Sequence, residues 1–403
     1  MQILLDNQQK AFDKLQPLKV GVLFMRPGTG KSRAALEIIK STDTDYIIWL
    51  APFRSVNPKI KESGIIHEVN KWGEIDREIE FIGIESLSSS DRLYLRLTKK
   101  LQSKKAFIVC DESLKIKNET AIRTKRIIEL GKLAEYKLIL NGTPISRDLL
   151  DVWAQMEFLS PLILKMRYGQ FKNTFCKYTT VKKSFGKHYL SKEFITGYAN
   201  IDYLYSLIRP YVYEADLQLT VGQQYVNLDY EIDEESKAEY QRLKEKYLDN
   251  EKLQFLNNNI FLEMTMKMQH VYCCTVEKFE LLKNIIKNHG IENVIVYTKF
   301  INSREEILKQ FKYLTVLSLQ SDSMSLNLQD KNVTVEWDKT WDYALIDQYE
   351  HRTYRTGQLR DCIYYKLNGN CGLESLITAN NDKKQSQLEY FKNITKEELK
   401  EIL

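Results

Sequence analysis

Five apolar segments in the first 145 residues constrain the fold of this chain more than any other feature. They are rich in valine, isoleucine and leucine and lack polar alternation: KVGVLFM, DYIIWLAP, EIEFIGI, KAFIVCDE and YKLILNGTP. Strands that are buried on both faces of a parallel sheet have this composition. Helix-forming segments such as KSRAALEIIK lie between them. The pattern predicts a doubly wound α/β lobe, in which ligands bind at the carboxyl ends of the strands.

A glycine-containing segment, RPGTGKS, follows the first apolar segment and precedes a helix-forming one. Glycines at such a place let backbone amides surround a phosphate chain, and the next helix directs its N-terminus at the anion. The lysine reaches the β- and γ-phosphates, and the serine binds Mg²⁺. A structural glycine turn is the alternative, because Met25 stands where the full GxxxxGK[ST] pattern has glycine. We predict an ATP-binding loop that consists of Gly28, Thr29, Gly30, Lys31 and Ser32.

Two carboxylates end the fourth apolar segment, because Asp111 and Glu112 follow KAFIVC. Beside a phosphate loop, one carboxylate of such a pair holds Mg²⁺ and the other polarises the attacking water. We therefore assign Mg²⁺ binding to Asp111 together with Ser32, and catalysis to Glu112. Thr143 ends the fifth segment beside the same site. We assign it to the coupling of hydrolysis with movement.

Another polar group occurs late in the chain, in DQYEHRTYRTGQ. Gln348, Arg352 and Arg355 are spaced i, i+4 and i+7, so on a continuous helix they share one face. Two arginines on one stripe can reach across a cleft to a γ-phosphate, as arginine fingers do. A solvated basic face is the alternative. We predict catalytic roles for all three residues.

Together these segments resemble the Swi/Snf family of DNA-dependent ATPases in helicase superfamily two. The matching segments follow the family's order: RPGTGKS, DESLKIKN, LNGTPISRDLLDVWAQMEFLSP, VIVYTKF, VEWDKTWD and DQYEHRTYRTGQ. The resemblance implies two RecA-like lobes, ATP and Mg²⁺ as cofactors, and an ATP-driven motor on DNA, with duplex favoured. It also implies that Gln8 reads the adenine and that DNA replication or recombination proteins are partners. We expect a compact bacterial or phage member of the family.

Two departures from the family pattern keep a second function open. Leu114 stands where the family has histidine. The strand and helix that family members carry between their fourth and fifth motifs are missing after Phe311. An ATP-switched DNA clamp or scaffold with slow hydrolysis is therefore the alternative to a motor.

The net charge of +5 is concentrated in one segment. Eight basic residues and no acidic ones lie between Lys165 and Lys192, interleaved with six aromatic residues. Cations contact phosphates and aromatic rings stack on bases, so the segment predicts a nucleic-acid surface. The alternative is a small helical subdomain with packed aromatics and solvated lysines. We assign nucleic-acid contacts to Lys172, Lys177, Lys182, Lys183 and Lys187.

The order of these features predicts three parts in an α/β fold with mainly helical insertions. The parts are a first RecA-like lobe (1–160), a basic and aromatic insertion with a connection (161–215), and a second RecA-like lobe (216–403). A helical insertion is expected near 233–270. The six cysteines lack metal-ligand spacing, and no apolar run reaches the ~18 residues of a membrane helix. The N-terminus has no signal-peptide pattern, so we expect a cytoplasmic protein without membrane contact.

Overall fold

The structure is a computed structural model that describes residues 3–56, 64–73, 75–142, 149–185, 188–216, 219–248, 258–319, 328–355 and 357–382. Side chains are described throughout these ranges except at 180–194, 258–262 and 344. The chain forms two compact units, Met1–Leu217 and Gln218–Leu403. The basic and aromatic insertion therefore belongs to the first unit.

A parallel sheet forms the centre of the first unit. The described residues of this unit form eight strands: β1 (Val20–Met25), β2 (Tyr46–Ala51), β3 (Glu78–Gly83), β4 (Ala106–Asp111), β5 (Tyr136–Asn141), β6 (Cys176–Phe185), β7 (His188–Tyr198) and β8 (Val212–Ala215). Six of them pair in the order β3-β2-β4-β5-β1-β8, and every pair is parallel. The first five strands are the five apolar segments, so the strands predicted from the sequence are confirmed.

Helices cover both faces of this sheet. They are α1 (Asp6–Leu15), α2 (Lys31–Lys40), α3 (Ile65–Lys71), α4 (Ser86–Ser89), α5 (Asp91–Ser103), α6 (Ile122–Leu133), α7 (Asp151–Leu159), α8 (Pro161–Leu164), α9 (Tyr168–Phe175) and α10 (Ile201–Ile208). Successive side chains of a strand point to opposite faces. On β1, Leu23 and Met25 pack in a core with α1, α2 and α3. Val22 and Phe24 pack in a second core with α5, α6 and α7.

The basic segment between Lys165 and Lys192 contains α9 and most of an antiparallel hairpin. β6 and β7 form a two-stranded sheet in which Cys176 pairs with Tyr198 and the register shifts beside Tyr178. The hairpin is therefore not the helical structure of the alternative interpretation, but Phe171 and Phe175 of α9 are fully buried, as that interpretation expected of the aromatics. The stretch CKYTTVKKSF is rich in β-branched and aromatic residues, which favour an extended conformation.

The second unit has its own parallel sheet. Its strands are β9 (Gln223–Tyr230), β10 (Val294–Thr298), β11 (Thr315–Ser318), β12 (Val333–Glu336) and β13 (Cys362–Gly369), in the order β11-β10-β12-β13-β9. Its helices are α11 (Glu234–Leu248), α12 (Asn258–Val271), α13 (Val276–His289), α14 (Ile301–Gln310), α15 (Tyr343–Thr353) and α16 (Gly372–Asp382). α11 and α12 lie where the helical insertion was expected.

Both faces of the second sheet are also covered. Val294 and Val296 of β10 pack with α11, α12, α13 and α16, whereas Ile295 and Tyr297 pack with α15. Each unit is thus a parallel sheet between two helical layers, and the predicted α/β fold class with two RecA-like lobes is confirmed. In the part of the chain that the structure describes, no helix is both long enough and apolar enough to cross a membrane.

Candidate nucleotide-binding site

The phosphate loop joins the end of β1 to the start of α2. Gly28 and Gly30 have φ angles of 85° and 83°, in the left-handed region that costs a residue with a side chain roughly 1–2 kcal/mol. Thr29 lies between them and is buried, and its Oγ1 donates to the carbonyl oxygen of Arg26 at 2.7 Å. The loop is held by its own hydrogen bonds in a conformation that glycine adopts without strain, and α2 begins directly after it at Lys31.

Gln8 of α1 packs against this loop. Its side chain is buried, its Nε2 donates to Thr29 O at 3.2 Å, and its Oε1 accepts from Leu5 N at 3.2 Å. A β-carbon at Gly30 would lie 2.1 Å from that Nε2. Glycine at this position therefore avoids both a strained φ angle and a displacement of the Gln8 side chain. The adenine-reading role of Gln8 stays a prediction.

Lys31 and Ser32 are the first two residues of α2. Nζ of Lys31 donates to the carbonyl oxygen of Met25 at 2.9 Å, so the ammonium lies over the end of β1. Ser32 is half-buried in the first turn. The unpaired amides and the dipole of a helix N-terminus favour an anion at such a place.

Asp111 ends β4 at the same edge of the sheet. Burial and the neighbouring carboxylate of Glu112 together raise the pKa of Asp111 to about 7, against the opposing effect of the Lys31 ammonium. A bound cation favours the charged form of such a carboxylate. Asp111 is therefore suited to hold a divalent cation beside Lys31.

Glu112 has an unusual backbone conformation. Its φ is 53° and its ψ is 51°, a left-handed conformation that residues other than glycine rarely adopt. Its N–H donates to Oδ1 of Asp111 at 3.0 Å, and its carbonyl oxygen accepts from Lys115 N at 2.9 Å. This geometry turns the chain away from β4 into a short 3₁₀ helix, Ser113–Ile116. Backbone strain of this kind is typical of functional sites.

Asn141, at the end of β5, belongs to the same edge but was not predicted from the sequence. β5 lies between β1 and β4, where Asn141 pairs with Phe24 and the preceding Leu140 pairs with Asp111. Asn141 is buried, and within the described ranges its Nδ2 has no hydrogen-bond partner. An unpaired buried donor costs about 1–3 kcal/mol, so a ligand that accepts a hydrogen bond from this amide would recover that cost. Its only signal in the sequence was an asparagine next to the Gly-Thr-Pro of LNGTP.

These groups fit a nucleoside triphosphate with Mg²⁺. β1, β5 and β4 are adjacent and parallel, so their carboxyl ends bring together the left-handed glycine loop, an ammonium, two carboxylates and an unpaired amide. Backbone amides and a lysine bind phosphate oxygens, and a serine hydroxyl with a carboxylate binds Mg²⁺.

A buried hydrogen-bond chain joins Ser113, the residue after the two carboxylates, to α7. Oγ of Ser113 donates to Oε1 of Gln155 at 2.6 Å, and Nε2 of Gln155 donates to the carbonyl oxygen of Asp151 at 2.8 Å. These polar residues were not predicted from the sequence, because the apolar spacing of this helix indicated only core packing. Leu114 is half-buried in the turn after Glu112. Thr143, which was assigned to coupling, lies outside the described residues.

In the second unit, α15 carries Gln348 and Arg352 but ends at Thr353. The backbone N–H of Arg355 donates to Thr353 O at 3.1 Å, and Arg355 O accepts from Gln358 N at 3.0 Å. Arg355 thus lies in a turn, and the prediction that all three motif residues share one continuous helix face is wrong. Gln348 and Arg352 keep their four-residue spacing on the helix.

Gln358 stabilises the turn after the helix. Its buried side chain donates from Nε2 to Lys331 O at 2.8 Å and to Thr353 O at 3.2 Å. Its Oε1 accepts from the N–H groups of Leu359 and Arg360, both at 3.0 Å. The bond to Thr353 O satisfies a carbonyl that the end of the helix leaves without a helical donor. The spacing of the arginines contains no signal for this contact.

Four of the five predicted nucleic-acid lysines lie on described elements. Lys172 is on α9, and Lys177 is exposed near the start of β6. Lys182 and Lys183 are on β6, but their side chains are not described, and Lys187 lies outside the described residues. Their assignment to nucleic acid stays a prediction.

The two parallel-sheet lobes and the phosphate loop with its strand-end carboxylates define a phosphate-loop nucleotide-binding protein. A model of the SNF2-related domain family matches residues 74–301, which is more than half of the chain. The chain belongs to this family.

Two relatives come from mycoplasmas, and both are named as uncharacterized ATP-dependent helicases. The protein of Mycoplasma pneumoniae is 22% identical over 410 residues, and that of Mycoplasma genitalium is 24% identical over 394 residues. Each match covers 87% of this chain and 37% of the relative, so the chain spans well under half of their length. A solved structure, the Sulfolobus solfataricus SWI2/SNF2 ATPase core in complex with dsDNA, is 19% identical, with a TM-score of 0.43. The match covers 100% of this chain and 97% of the Sulfolobus solfataricus chain.

Proposed function

We propose that this protein is an ATP-driven motor that moves along double-stranded DNA. The observation that carries the proposal is the edge of the first sheet, where the left-handed glycine loop and Lys31 meet the Asp111–Glu112 pair. Membership of the SNF2-related domain family supports it. So do the two mycoplasma relatives, which are named as ATP-dependent helicases.

In this proposal the first lobe binds the nucleotide. The loop backbone and Lys31 bind the triphosphate, and Ser32 and Asp111 hold Mg²⁺. When bound, ATP with Mg²⁺ supplies the phosphoanhydride bond whose hydrolysis drives the cycle. Glu112 orients the attacking water and accepts its proton. The unpaired Nδ2 of Asn141 is a further donor at this edge.

The second lobe supplies the catalytic arginines. A planar guanidinium presents paired N–H donors that match phosphate oxygens. Arg352 is carried on α15, whereas Arg355 is fixed by the turn that Gln358 stabilises. Closure of the lobes brings both side chains to the phosphates, and hydrolysis releases them. Alternating closure and opening moves the protein along DNA.

In this proposal the basic segment between Lys165 and Lys192 binds the DNA. Lysines contact phosphates, which are alike in every sequence, so binding is expected to be salt-sensitive and independent of sequence. Lys172 and Lys177, with Lys182 and Lys183 further along β6, are candidate contacts. Lys187 is a further candidate from the sequence alone. The family resemblance favours duplex over single strands as the track.

ATP turnover measured without nucleic acid, with single-stranded DNA and with duplex DNA tests this proposal. We expect duplex to stimulate turnover most. Lys31→Ala is the matched control, because it removes the phosphate-binding ammonium and should abolish turnover while leaving DNA affinity intact. DNA binding that tightens with ATP, combined with turnover that duplex does not stimulate, would instead indicate the slow ATP-switched clamp.

A further inference from the structure

Three exposed tyrosines lie on the hairpin of the first unit and on the helix that follows it. Tyr178 on β6, Tyr198 on β7 and Tyr203 on α10 expose 39%, 42% and 49% of their surface. Exposed aromatic rings that cluster in this way mark interaction surfaces. We refer to these three residues as the tyrosine face.

The register of the hairpin places two of these tyrosines near its base. Tyr198 pairs with Cys176, the first residue of β6. Tyr178 follows Cys176 by two residues, beyond a register shift, and pairs with Ile195. Tyr178 and Tyr198 therefore lie on paired strands, within three residues of each other in register.

A rigid apolar base supports the face. Phe171 and Phe175 of α9 are fully buried, with ring centroids 4.8 Å apart. The ring of Tyr203 lies 6.1 Å from that of Phe175, tilted by 31°. Phe175 also directly precedes the first residue of β6. Tyr203 is thus packed against the base from which the hairpin starts.

Cations accompany the rings. Nζ of Lys172 lies 4.7 Å from the ring centroid of Tyr178, and the hydroxyl of Tyr178 donates to Oδ1 of Asn173 at 2.8 Å. Lys177 is exposed beside Tyr178. The whole stretch from Lys165 to Lys192 contains no acidic residue. A fixed ring next to positive charge suits a ligand with both flat aromatic groups and phosphates, which is a nucleic acid.

We propose that the tyrosine face stacks unpaired DNA bases, so that the protein binds duplex DNA with a single-stranded tail more tightly than blunt duplex. The proposal rests on the proposed function, because it adds a contact to a DNA motor. Inside a duplex the faces of the bases are already stacked on one another, and only grooves and backbone are accessible. Lysines alone suffice for that backbone, whereas exposed tyrosine rings gain binding energy only where bases are unpaired.

The test compares affinities of the full chain for three DNAs: a single-stranded oligonucleotide, a blunt duplex, and the same duplex with a single-stranded tail. The variants are the double substitution Tyr178→Ala with Tyr203→Ala, and the same pair changed to Phe. Tyr205→Ala is the matched control. Tyr205 is equally exposed on the same helix, at 48%, but lies about 200° around the helix axis from Tyr203.

We expect the double Ala variant to lose ~10-fold or more in affinity for the single strand and the tailed duplex. Its affinity for blunt duplex should not change, which also shows that it folds. The double Phe variant and Tyr205→Ala should resemble the wild type. An equal loss on blunt duplex would mean that the tyrosines contact the backbone. A Phe variant that fails like the Ala variant would assign the effect to the hydroxyls. Unchanged affinity for all three DNAs would leave the face to a protein partner. Each of these outcomes overturns the proposal.

Turnover of ATP with blunt duplex is measured in the same samples. If the wild type shows no duplex-stimulated turnover, the motor proposal fails, whereas tyrosine-dependent affinity for tails would still stand. If the double Ala variant keeps duplex-stimulated turnover and tail affinity, only the stacking proposal fails. The two failures are therefore distinguishable.

Discussion

Gln8 donates from Nε2 to the carbonyl oxygen of Thr29 at 3.2 Å, so α1 and the phosphate loop share a buried hydrogen bond. The same nitrogen would lie 2.1 Å from a β-carbon at Gly30. A side chain at Gly30 must therefore displace Gln8. It must also adopt a left-handed φ angle of 83°.

Gly30→Ala is expected to destabilise the protein through both effects, and a double-mutant cycle separates them. The φ angle alone costs roughly 1–2 kcal/mol, and the lost hydrogen bonds of Gln8 add about 1 kcal/mol each. In a Gln8→Ala background only the first cost remains, so the two substitutions should couple by about 1–2 kcal/mol in urea unfolding.

Gly73→Ala is the control for backbone strain. Gly73 has a φ angle of 100°, and among the described residues a β-carbon there would meet only Lys40 Nζ at 3.6 Å. The loss of stability in Gly73→Ala should therefore reflect the left-handed φ angle of the alanine and not the displacement of a neighbouring side chain. Additive effects of the Gln8 and Gly30 substitutions would contradict the close packing of these two residues.

The strands and the nucleotide loop could be predicted from the sequence because their signals are local. A buried parallel strand needs a continuous apolar run, and a phosphate loop needs glycines next to lysine, so both patterns are visible without tertiary contacts. The role of Asn141 was different. Its burial and its unpaired Nδ2 follow from the position of β5 between β1 and β4, which is a property of the sheet order.

Arg355 shows why the remainder could not be predicted. Its spacing from Arg352 fits a helix, yet the side chain of Gln358 bonds Thr353 O at 3.2 Å and the helix ends there. The hairpin was missed for a different reason. The aromatic and basic residues in β6 were interpreted as a binding surface, although the β-branched and aromatic composition of the segment also favours a strand, and this strand pairs with β7.

Glu112 supports two predictions that separate chemistry from strain. Glu112→Gln should bind ATP and Mg²⁺ but hydrolyse ATP at least ~100-fold more slowly, because the amide cannot accept the proton of the attacking water. Glu112→Gly should hydrolyse ATP equally slowly. It should be more stable to unfolding than Glu112→Gln by about 1 kcal/mol, because glycine adopts the φ of 53° without strain. Single-turnover kinetics and urea unfolding measure these effects. Failure of Glu112→Gln to bind nucleotide would assign Glu112 to binding instead.

Glu350 should make stability depend on pH. Burial, with smaller contributions from the carboxylates of Glu336 and Asp347, raises the pKa of Glu350 from 4.5 to about 7. This value includes the opposing effects of the Tyr225 hydroxyl and the Lys366 ammonium. The pKa of Glu350 is higher in the folded protein than in the unfolded chain. The contribution of Glu350 to stability is therefore complete below pH 4.5 and is lost as pH rises through about 7.

The free energy of unfolding of Glu350→Gln, relative to that of the wild type, should therefore increase by roughly 2–3 kcal/mol from about pH 5 to about pH 8. Urea unfolding at the two pH values measures this difference. Glu305→Gln is the control, because Glu305 is exposed on α14 and should show no such trend. A gain of the same size in both variants would mean that the effect reflects total charge and not burial.

The last prediction tests whether the second lobe takes part in hydrolysis. Arg355 follows the phosphate loop by more than 300 residues, and its backbone is fixed by a turn, so nothing local in the sequence makes it affect turnover. If the lobes close on ATP, Arg355→Ala should keep nucleotide affinity nearly unchanged and lower DNA-stimulated turnover by ~10³ or more, the lower end for a removed arginine finger. Arg355→Lys should stay poor, because an ammonium lacks the planar fork that contacts two phosphate oxygens.

Measurement of kcat and of DNA affinity for both Arg355 variants decides between two roles. If Arg355 is a surface residue that contacts DNA, both variants should have a near-normal kcat. The Ala variant should then bind DNA more weakly and with greater salt sensitivity. The Lys variant should recover the affinity, since phosphates accept either cation. Arg360→Ala is the control, because Arg360 is exposed in the same segment and its guanidinium donates to Oδ1 of Asn293 and to Asp330 O. It should leave kcat unchanged. A loss of kcat confined to Arg355 would place its guanidinium at the phosphates, whereas a loss confined to DNA affinity would move it to the DNA surface.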